Sequence, residues 1–433
     1  MTNSKYLNSI KNLESRFNFE KEEKNKFPFF KLERTYQLME LLGNPQNSSS
    51  FTIHVAGTNG KGSVSSNIDS VLSKVCKTGL LTSPHLSNYT ERIKLDGKEI
   101  SKELFADTYE EISNKVHDFE RENKIEFTFF EIITAMGFLI FEQKSVDVKI
   151  LETGLGGTFD STNVVESDIS IITPISNDHK KVLGGSIKSI AENKAGIISK
   201  NSKVIVSKQK KIPKEILQKN SRFKNTEFIE TKYIILENPK IINERMNVRI
   251  SIDEVNYEIK SKSIGSYHIE NIATSIKTIK EYSSKISKKT IKYGLENNWW
   301  PCRGDIYFYK ERMFFIDGAH NKEGFDALIT TLNNFFNKNY VFIFGTNSNH
   351  DIKPSLDFAK KISKKNILTR SSHPKSLCTN IIAKKFNKFK LNYIKSTSIE
   401  NALKIAISKT TKEDLIVVAG SLFVSSEISS IIK

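Results

Sequence analysis

The chain has 433 residues, 27% charged, 38% hydrophobic and 10% aromatic, which excludes a disordered or collagen-like polymer and leaves room for two or three domains. Its 66 Lys and Arg against 49 Asp and Glu give a net charge of +17, a value that by itself would suggest nucleic acid or an anionic surface. That charge comes from 56 lysines and only 10 arginines spread along the whole chain, so it reads as solvated surface and not as a binding stripe. Cys76, Cys302 and Cys378 are far apart, odd in number and in no metal-ligand spacing. The segment Met1–Tyr6 has no apolar signal core, and no apolar run approaches the roughly 18 residues that span a bilayer. The expectation is a cytoplasmic protein with no membrane and no nucleic-acid partner.

Glycine is scarce, 20 in all, and nine of the 20 fall in three short segments. Glycine is needed where backbone approaches a ligand closely or takes a positive φ, so this clustering marks a site. In the first segment a strand, Phe51 to Val55, enters Gly57-Thr-Asn-Gly60-Lys61-Gly62-Ser63, and Val64 to Lys74 reads as a helix. Strand, glycine loop and helix N-terminus aim N–H groups at a phosphate; Lys61 would reach the β/γ-phosphates and Ser63 could give a hydroxyl to Mg²⁺. The usual P-loop pattern is not met: Val55 stands where the first Gly belongs, and Gly62 follows the Lys where Ser or Thr is expected.

Phe127 to Met136 reads as an amphipathic core helix. Val146 to Leu151 is a further strand, ending at Glu152 before Gly154, Gly156 and Gly157. A carboxylate at the carboxyl end of a parallel strand, facing a phosphate loop, is a natural Mg²⁺ ligand. A third strand starts at Ile169 and is expected to end at Asp178-His179, with a short helix carrying Lys194 beyond it. From Asn201 to Lys262 the Lys-rich sequence reads as strands and polar loops, and Gly265 to Ile279 as a helix. Trp299-Trp-Pro-Cys-Arg303 is a candidate hinge, because Pro301 disfavours helix before it. Then come a strand at Met313 to Ile316, a helix bearing Phe325, Leu328 and Leu332, strands at Tyr340–Phe344 and Leu415–Ala419, and helices at Lys353–Lys365 and Ile399–Ser408. The alternation predicts an α/β fold: a large P-loop-type ATPase domain with a mostly parallel sheet over 1–298, a linker at 299–304, and a smaller Rossmann-like α/β domain over 305–433.

The ordered set His54-Val-Ala-Gly-Thr-Asn-Gly-Lys-Gly-Ser63, Ser83-Pro-His-Leu86 with Glu91-Arg-Ile93, Glu152-Thr-Gly-Leu-Gly-Gly157, Asp178-His179, Lys194-Ala-Gly-Ile197, Gly265 to Asn271, Trp300-Pro-Cys-Arg303, Asp317-Gly-Ala-His-Asn321, Phe344-Gly345, His373-Pro374 and Ala419-Gly-Ser-Leu422 resembles the folylpolyglutamate synthase / dihydrofolate synthase family of the Mur ligase superfamily. The resemblance implies an ATP-dependent amide ligase that activates a folate-type carboxylate as an acyl phosphate and joins it to the amine of L-glutamate. It implies that Gly57, Thr58, Asn59, Gly60, Lys61, Gly62 and Ser63 cradle the triphosphate. It further implies that Ser83, Glu152 and His179, with Ser63, hold two Mg²⁺, and that Lys194 is carried as a carbamate. Asn271, Arg303 and Asp317 would contact the nucleotide, and Lys61, Lys194, Asp317 and His320 would be the catalytic set. The substrates implied are ATP, L-glutamate and dihydropteroate or tetrahydrofolate, on a protein expected to be a monomer.

Several positions depart from the family pattern: Thr158 for Arg, Asn193 for Glu, His268 for Gln, Cys302 for Gly, Lys375 for Arg, and Asn349-His350-Asp351 for Asp-Lys-Asp. Three other readings stand beside the ligase. A peptidoglycan-type Mur ligase is disfavoured because the sequence lacks an extra nucleotide-sugar domain before its phosphate loop. A basic P-loop ATPase acting on nucleic acid would use the +17 charge but leaves Glu152, His179 and Lys194 unexplained. A non-catalytic relative would have lost Lys61 or the metal residues, and none is lost.

Overall fold

A computed structural model describes residues 2–18, 20–21, 31–178 and 180–433. Two compact units divide the chain, one of residues 1–234, 250–257 and 270–298, the other of 235–249, 258–269 and 299–433.

Among the described residues the first unit is built on eight strands: β1 (Phe51–Ala56), β2 (Thr78–Leu81), β3 (Ile93–Leu95), β4 (Lys98–Glu99), β5 (Val148–Glu152), β6 (Ile169–Ile172), β7 (Lys203–Val206) and β8 (Glu227–Glu230). Their order is β4-β3-β2-β5-β1-β6-β7-β8, parallel from β2 through β8, with β3 antiparallel to both β2 and β4 at one edge. β2 and β5 are buried along their whole length and β1 along nearly all of it, as a parallel sheet covered by helices requires. The chain leaves β1 for β2 on one side, and β5, between them, sends it on to β6 on the other. Ligands bind at the carboxyl edge where such a sheet reverses direction. One apolar core packs helices Lys102–Asn123 and Phe129–Gln143 with Leu81 and Leu151, and a second packs helix Ile187–Ala195 with Ala56, Ile172 and Val204.

Three further strands, β9 (Ile234–Ile242), β10 (Arg245–Ile252) and β11 (Val255–Ser261), form a small sheet. The second unit holds β12 (Arg303–Tyr309), β13 (Arg312–Asp317), β14 (Tyr340–Phe344), β15 (Ser363–Leu368), β16 (Ile394–Lys395) and β17 (Leu415–Ala419), in the order β12-β13-β17-β14-β15-β16. All but β12 run parallel, so the carboxyl ends of β13, β17, β14 and β15 share one edge. This is a mixed α/β fold with a large, mostly parallel sheet and a separate C-terminal α/β layer.

Three sequence expectations are corrected. The strand read to Asp178 stops at Ile172, because Pro174 has no N–H for the ladder and its carbonyl instead accepts from the Thr58 N–H at 3.0 Å. The helix read over 353–365 ends at Lys361, and Ser363–Leu368 joins β14 as a strand. Within 201–262, Lys211–Phe223 is a helix with Leu217 and Ser221 buried; its lysines hide a narrow apolar face.

Gly79 in β2 has its backbone under the ring of Phe141, where a Cβ would lie 2.4 Å from Cδ1. Both groups are in the core, and over-packing there costs about 1–3 kcal/mol. Gly79→Ala is therefore expected to lower the urea-unfolding free energy by that amount; an unchanged midpoint would contradict the packing described.

Candidate functional site

β1 delivers the chain into the glycine loop, whose backbone runs where side chains do not fit. Gly57 has φ +149°, and a Cβ on it would lie 1.8 Å from Thr173 Oγ1. Gly60 has φ +92° and caps the helix Lys61–Leu72; a Cβ there would lie 2.6 Å from Asn271 Oδ1. The Thr58 hydroxyl donates to the Ser176 carbonyl at 3.3 Å and accepts from the Ser176 N–H at 3.0 Å, so the loop is tied to the segment after β6. The first-turn N–H groups of the helix have no intrahelical acceptor, and with the helix dipole they make an anion site. The Asn271 side-chain NH₂, buried beside Gly60, has no partner among the described residues and is suited to donate to a ligand.

Around this loop the structure gathers most of the residues expected from sequence. Val55 pairs with Glu152 in the β1/β5 register, which brings the carboxylate to the same edge. Glu152 is buried; its Oε1 is 4.0 Å from Lys61 Nζ, and its Oε2 accepts from the Ser83 N–H at 3.3 Å. The Lys194 ammonium, also buried, donates to the Gly57 carbonyl at 2.6 Å. Burial, and then the nearby Lys61 charge, push the Lys194 pKa down to about 7, against the opposing pull of Asp178 and Asp160. A large share of this amine is therefore neutral and nucleophilic at physiological pH. His179, expected as a metal ligand, lies outside the described residues.

No group of three or more His, Cys, Asp or Glu among the described residues could hold a metal by itself. The buried Glu152 carboxylate, with Ser83 beside it at the edge of the glycine loop, is instead the kind of donor set that suits a hard ion arriving with phosphates. Mg²⁺ keeps waters and takes one or two carboxylates plus substrate oxygens. The residues present fit it.

A second group gathers in the other unit. Asp317, at the carboxyl end of β13, accepts from the Ala319 N–H at 2.8 Å and from the Tyr267 hydroxyl through a very short bond; burial pushes its pKa up. Arg303 Nη1 lies 2.5 Å from where a Cβ on Gly318 would sit, and His320 Nδ1 donates to the Gly318 carbonyl at 2.8 Å. Arg303, Asp317 and His320 are thus neighbours. The Trp299–Arg303 segment is held by buried Asp305, which accepts from the Trp299 indole at 3.2 Å and the Cys302 N–H at 2.6 Å.

Some participants escaped the sequence reading. Tyr267 sits inside the Gly265–Asn271 motif, but only its neighbours His268 and Asn271 drew notice; its role is visible only once β13 is beside it. Thr173 has no sequence signal at all. The departures Thr158 and Asn193 prove to be partners, the Thr158 N–H and hydroxyl both donating to the Asn193 carbonyl at 2.9 Å. His350, another departure, stacks on His320 with ring centres 4.6 Å apart.

Strain of about 1–3 kcal/mol is the usual cost of forcing a side chain into such a backbone. Gly57→Ala is expected to weaken ADP binding roughly ten- to a hundredfold in calorimetry, with secondary structure by circular dichroism retained. Unchanged affinity would show that the loop does not meet the phosphates.

The chain is similar to known proteins in sequence and in fold. The Mur ligase middle domain matches residues 55–279, and the Mur ligase glutamate ligase domain matches 306–422. The folylpolyglutamate synthase of Lacticaseibacillus casei is 30% identical over 335 residues, 75% of this chain and 77% of that one. The dihydrofolate synthase/folylpolyglutamate synthase of Bacillus subtilis is 34% identical over 313 residues, 70% and 72% of the two chains. The Mycobacterium tuberculosis folylpolyglutamate synthase, solved with ADP and AMPPCP, superposes with a TM-score of 0.89 at 26% identity, over 100% of this chain and 99% of that one. With two Mur ligase domains in order and relatives of this kind over most of its length, the chain belongs to the folylpolyglutamate synthase / dihydrofolate synthase family of ATP-dependent ligases.

Proposed function

We propose that this protein joins L-glutamate to a folate-type carboxylate, that of dihydropteroate, of tetrahydrofolate polyglutamate, or of both, using ATP. The observation that carries the reading is the convergence of Lys61, Ser83, Glu152 and Lys194 on one glycine loop, in a chain of this family. The acceptor's carboxylate oxygen attacks the γ-phosphorus and ADP leaves. The glutamate nitrogen then attacks the acyl-phosphate carbon, and the tetrahedral adduct expels phosphate.

Phosphoryl transfer is mostly positioning and charge stabilisation. Gly57, Thr58, Asn59, Gly60, Gly62 and Ser63 present N–H groups and a hydroxyl to the triphosphate. Lys61 offsets charge on the transferring group, and Asn271 donates to the nucleotide. Glu152, Ser83 and Ser63, joined by His179, would hold Mg²⁺ at two sites. The metal supplies Lewis-acid neutralisation of the phosphate oxygens when bound. Lys194, neutral in large part at pH 7, adds CO₂ at Nζ with loss of a proton to become a carbamate, an oxygen donor suited to the second ion. Arg303 and Asp317 serve the nucleotide and His320 the incoming amine. A ligase of this kind must keep water from its acyl phosphate. The protein works as a cytoplasmic monomer on small molecules.

Purified protein with ATP, Mg²⁺, glutamate and either acceptor is expected to yield a glutamate adduct by mass and an equivalent of phosphate, and Lys61→Ala to cut the rate by at least about a hundredfold. No adduct with either acceptor would end the reading. ATP hydrolysis stimulated by duplex DNA, with a steep salt dependence, would favour the nucleic-acid alternative.

The carbamate has its own test. Protein equilibrated with ¹³C-bicarbonate is expected to show one carbamate carbon resonance that Lys194→Arg abolishes. A spectrum without it in active protein would remove the modification from the mechanism.

A further inference from the structure

None of the roles above uses His54, Thr162 or Asp160, yet these three buried side chains form a continuous chain of hydrogen bonds. Asp160 Oδ1 accepts from the Thr162 N–H at 3.0 Å and the Thr162 hydroxyl at 2.6 Å, while its Oδ2 accepts from the Leu155 N–H at 2.8 Å. With two backbone donors on it, the carboxyl is an acceptor, so the single Thr162 proton points to Asp160. The contact of 2.8 Å between His54 Nε2 and Thr162 Oγ1 must then be a bond donated by the imidazole, which fixes the Nε2–H tautomer. His54 Nδ1 is buried with no partner.

Stability alone does not account for that arrangement. His54 lies in the middle of β1 between Ile53 and Val55, where an aliphatic side chain would leave no polar atom unpaired. What the imidazole adds is a link from β1 to the loop after β5. That loop continues the chain of contacts: Cβ atoms on Gly157 would lie 2.7 Å from the Asn193 carbonyl and 3.0 Å from that of Lys194, and Thr158 bonds the Asn193 carbonyl. Lys194 in turn reaches Gly57, three residues beyond His54. The path closes on itself, from β1 through Thr162, Asp160, the glycine loop and Lys194 back to the end of β1.

We infer that His54 is a positioning residue for the ligase site: acting through Thr162 and Asp160, it sets the loop that follows Glu152, and so the spacing of Glu152 and Lys194 from the phosphate loop. This rests on the ligase reading for its effect on rate, but its structural content can be read without catalysis. A phosphate loop and a metal carboxylate held at the right separation make Mg²⁺ and nucleotide bind cooperatively, and loosening the link weakens that cooperativity before it weakens either partner alone.

The test measures affinity for a fluorescent ADP analogue with and without Mg²⁺, alongside steady-state ligation, in His54→Leu, His54→Gln, Thr162→Val and the His54→Leu/Thr162→Val pair. Metal-free nucleotide affinity is expected within about twofold of wild type, while the gain conferred by Mg²⁺ shrinks roughly tenfold and kcat falls roughly ten- to a hundredfold with KM for ATP little changed. His54→Gln, whose amide can donate from a similar position, is expected to recover most of both. The double variant is expected to be no worse than either single one, since all break the same path. A full Mg²⁺ gain in Thr162→Val, additive effects in the pair, or metal-free affinity falling as far as kcat would overturn the inference. If His54→Leu does not fold, Thr162→Val and His54→Gln decide it. Wild-type protein that fails to ligate either acceptor would defeat the ligase reading, while the Mg²⁺ gain would still judge the relay.

Discussion

The constraint on which this molecule turns is that the backbone of residues 57–60 runs through crowded protein with no room for side chains at Gly57 and Gly60. Gly57 passes so close to Thr173, and Gly60 to Asn271, that neither position has room for a Cβ. The parallel sheet makes this possible: β1, β5 and β6 end together, so the segment after β6 can back the loop on one side while Glu152 approaches from the other. The buried Lys194 supplies the remaining contact on the Gly57 carbonyl. Burying an ammonium costs free energy unless it is paired or shifts its proton, and Lys194 does both, through one short bond to a carbonyl and a pKa near neutrality.

How much of this was legible in the sequence follows from the range of each interaction. The glycine loop, the strand before it and the helix after it are local, and β1, β14, β17 and the helix Ile399–Ser408 lie where the apolar pattern puts them. Glu152 stands out in sequence because it ends a strand facing a phosphate loop, and the β1/β5 register does put it at that edge. Where the outcome depended on distant partners, the pattern failed. The strand read to Asp178 ended at Ile172 because Pro174 turns to meet Thr58, and the helix over 353–365 was cut short because β14 offered residues 363–368 an edge to pair with. Tyr267 and Thr173 illustrate the same limit at the site. Tyr267 meets Asp317 50 positions away and Thr173 meets Gly57 farther off still, and nothing in the neighbourhood of either announces it.

The departures from family pattern were legible as oddities but not as a set. Thr158 and Asn193 stand together: the Thr158 N–H and hydroxyl both donate to the main-chain carbonyl of Asn193. Those two bonds hold the loop after Glu152 against the end of the helix Ile187–Ala195. Cys302, by contrast, takes φ +58° where a glycine would be unstrained, and the Asp305 bond to its N–H helps to hold it there.

That bond belongs to a wider device. The phosphate loop is tied through Thr58 to Ser176, but four other segments that carry a proposed site residue are each anchored by one carboxylate accepting from backbone N–H groups. Glu91 takes those of Leu86, Ser87 and Asn88 beside Ser83, and Asp160 those of Leu155 and Thr162 beyond Glu152. Asp305 takes that of Cys302 beside Arg303, and Asp317 that of Ala319 beside His320. A carboxyl group accepting from backbone N–H groups fixes backbone without occupying the space above it. Glycine loops need this. With few side chains of their own to pack, the loop after Glu152 and the Cys302–Asp305 turn borrow rigidity from a carboxylate placed a few residues away, and the space above their backbone stays open. A catalyst that works chiefly by holding charges at fixed separations can tolerate loops at its centre only if they are as immobile as the sheet that bears them.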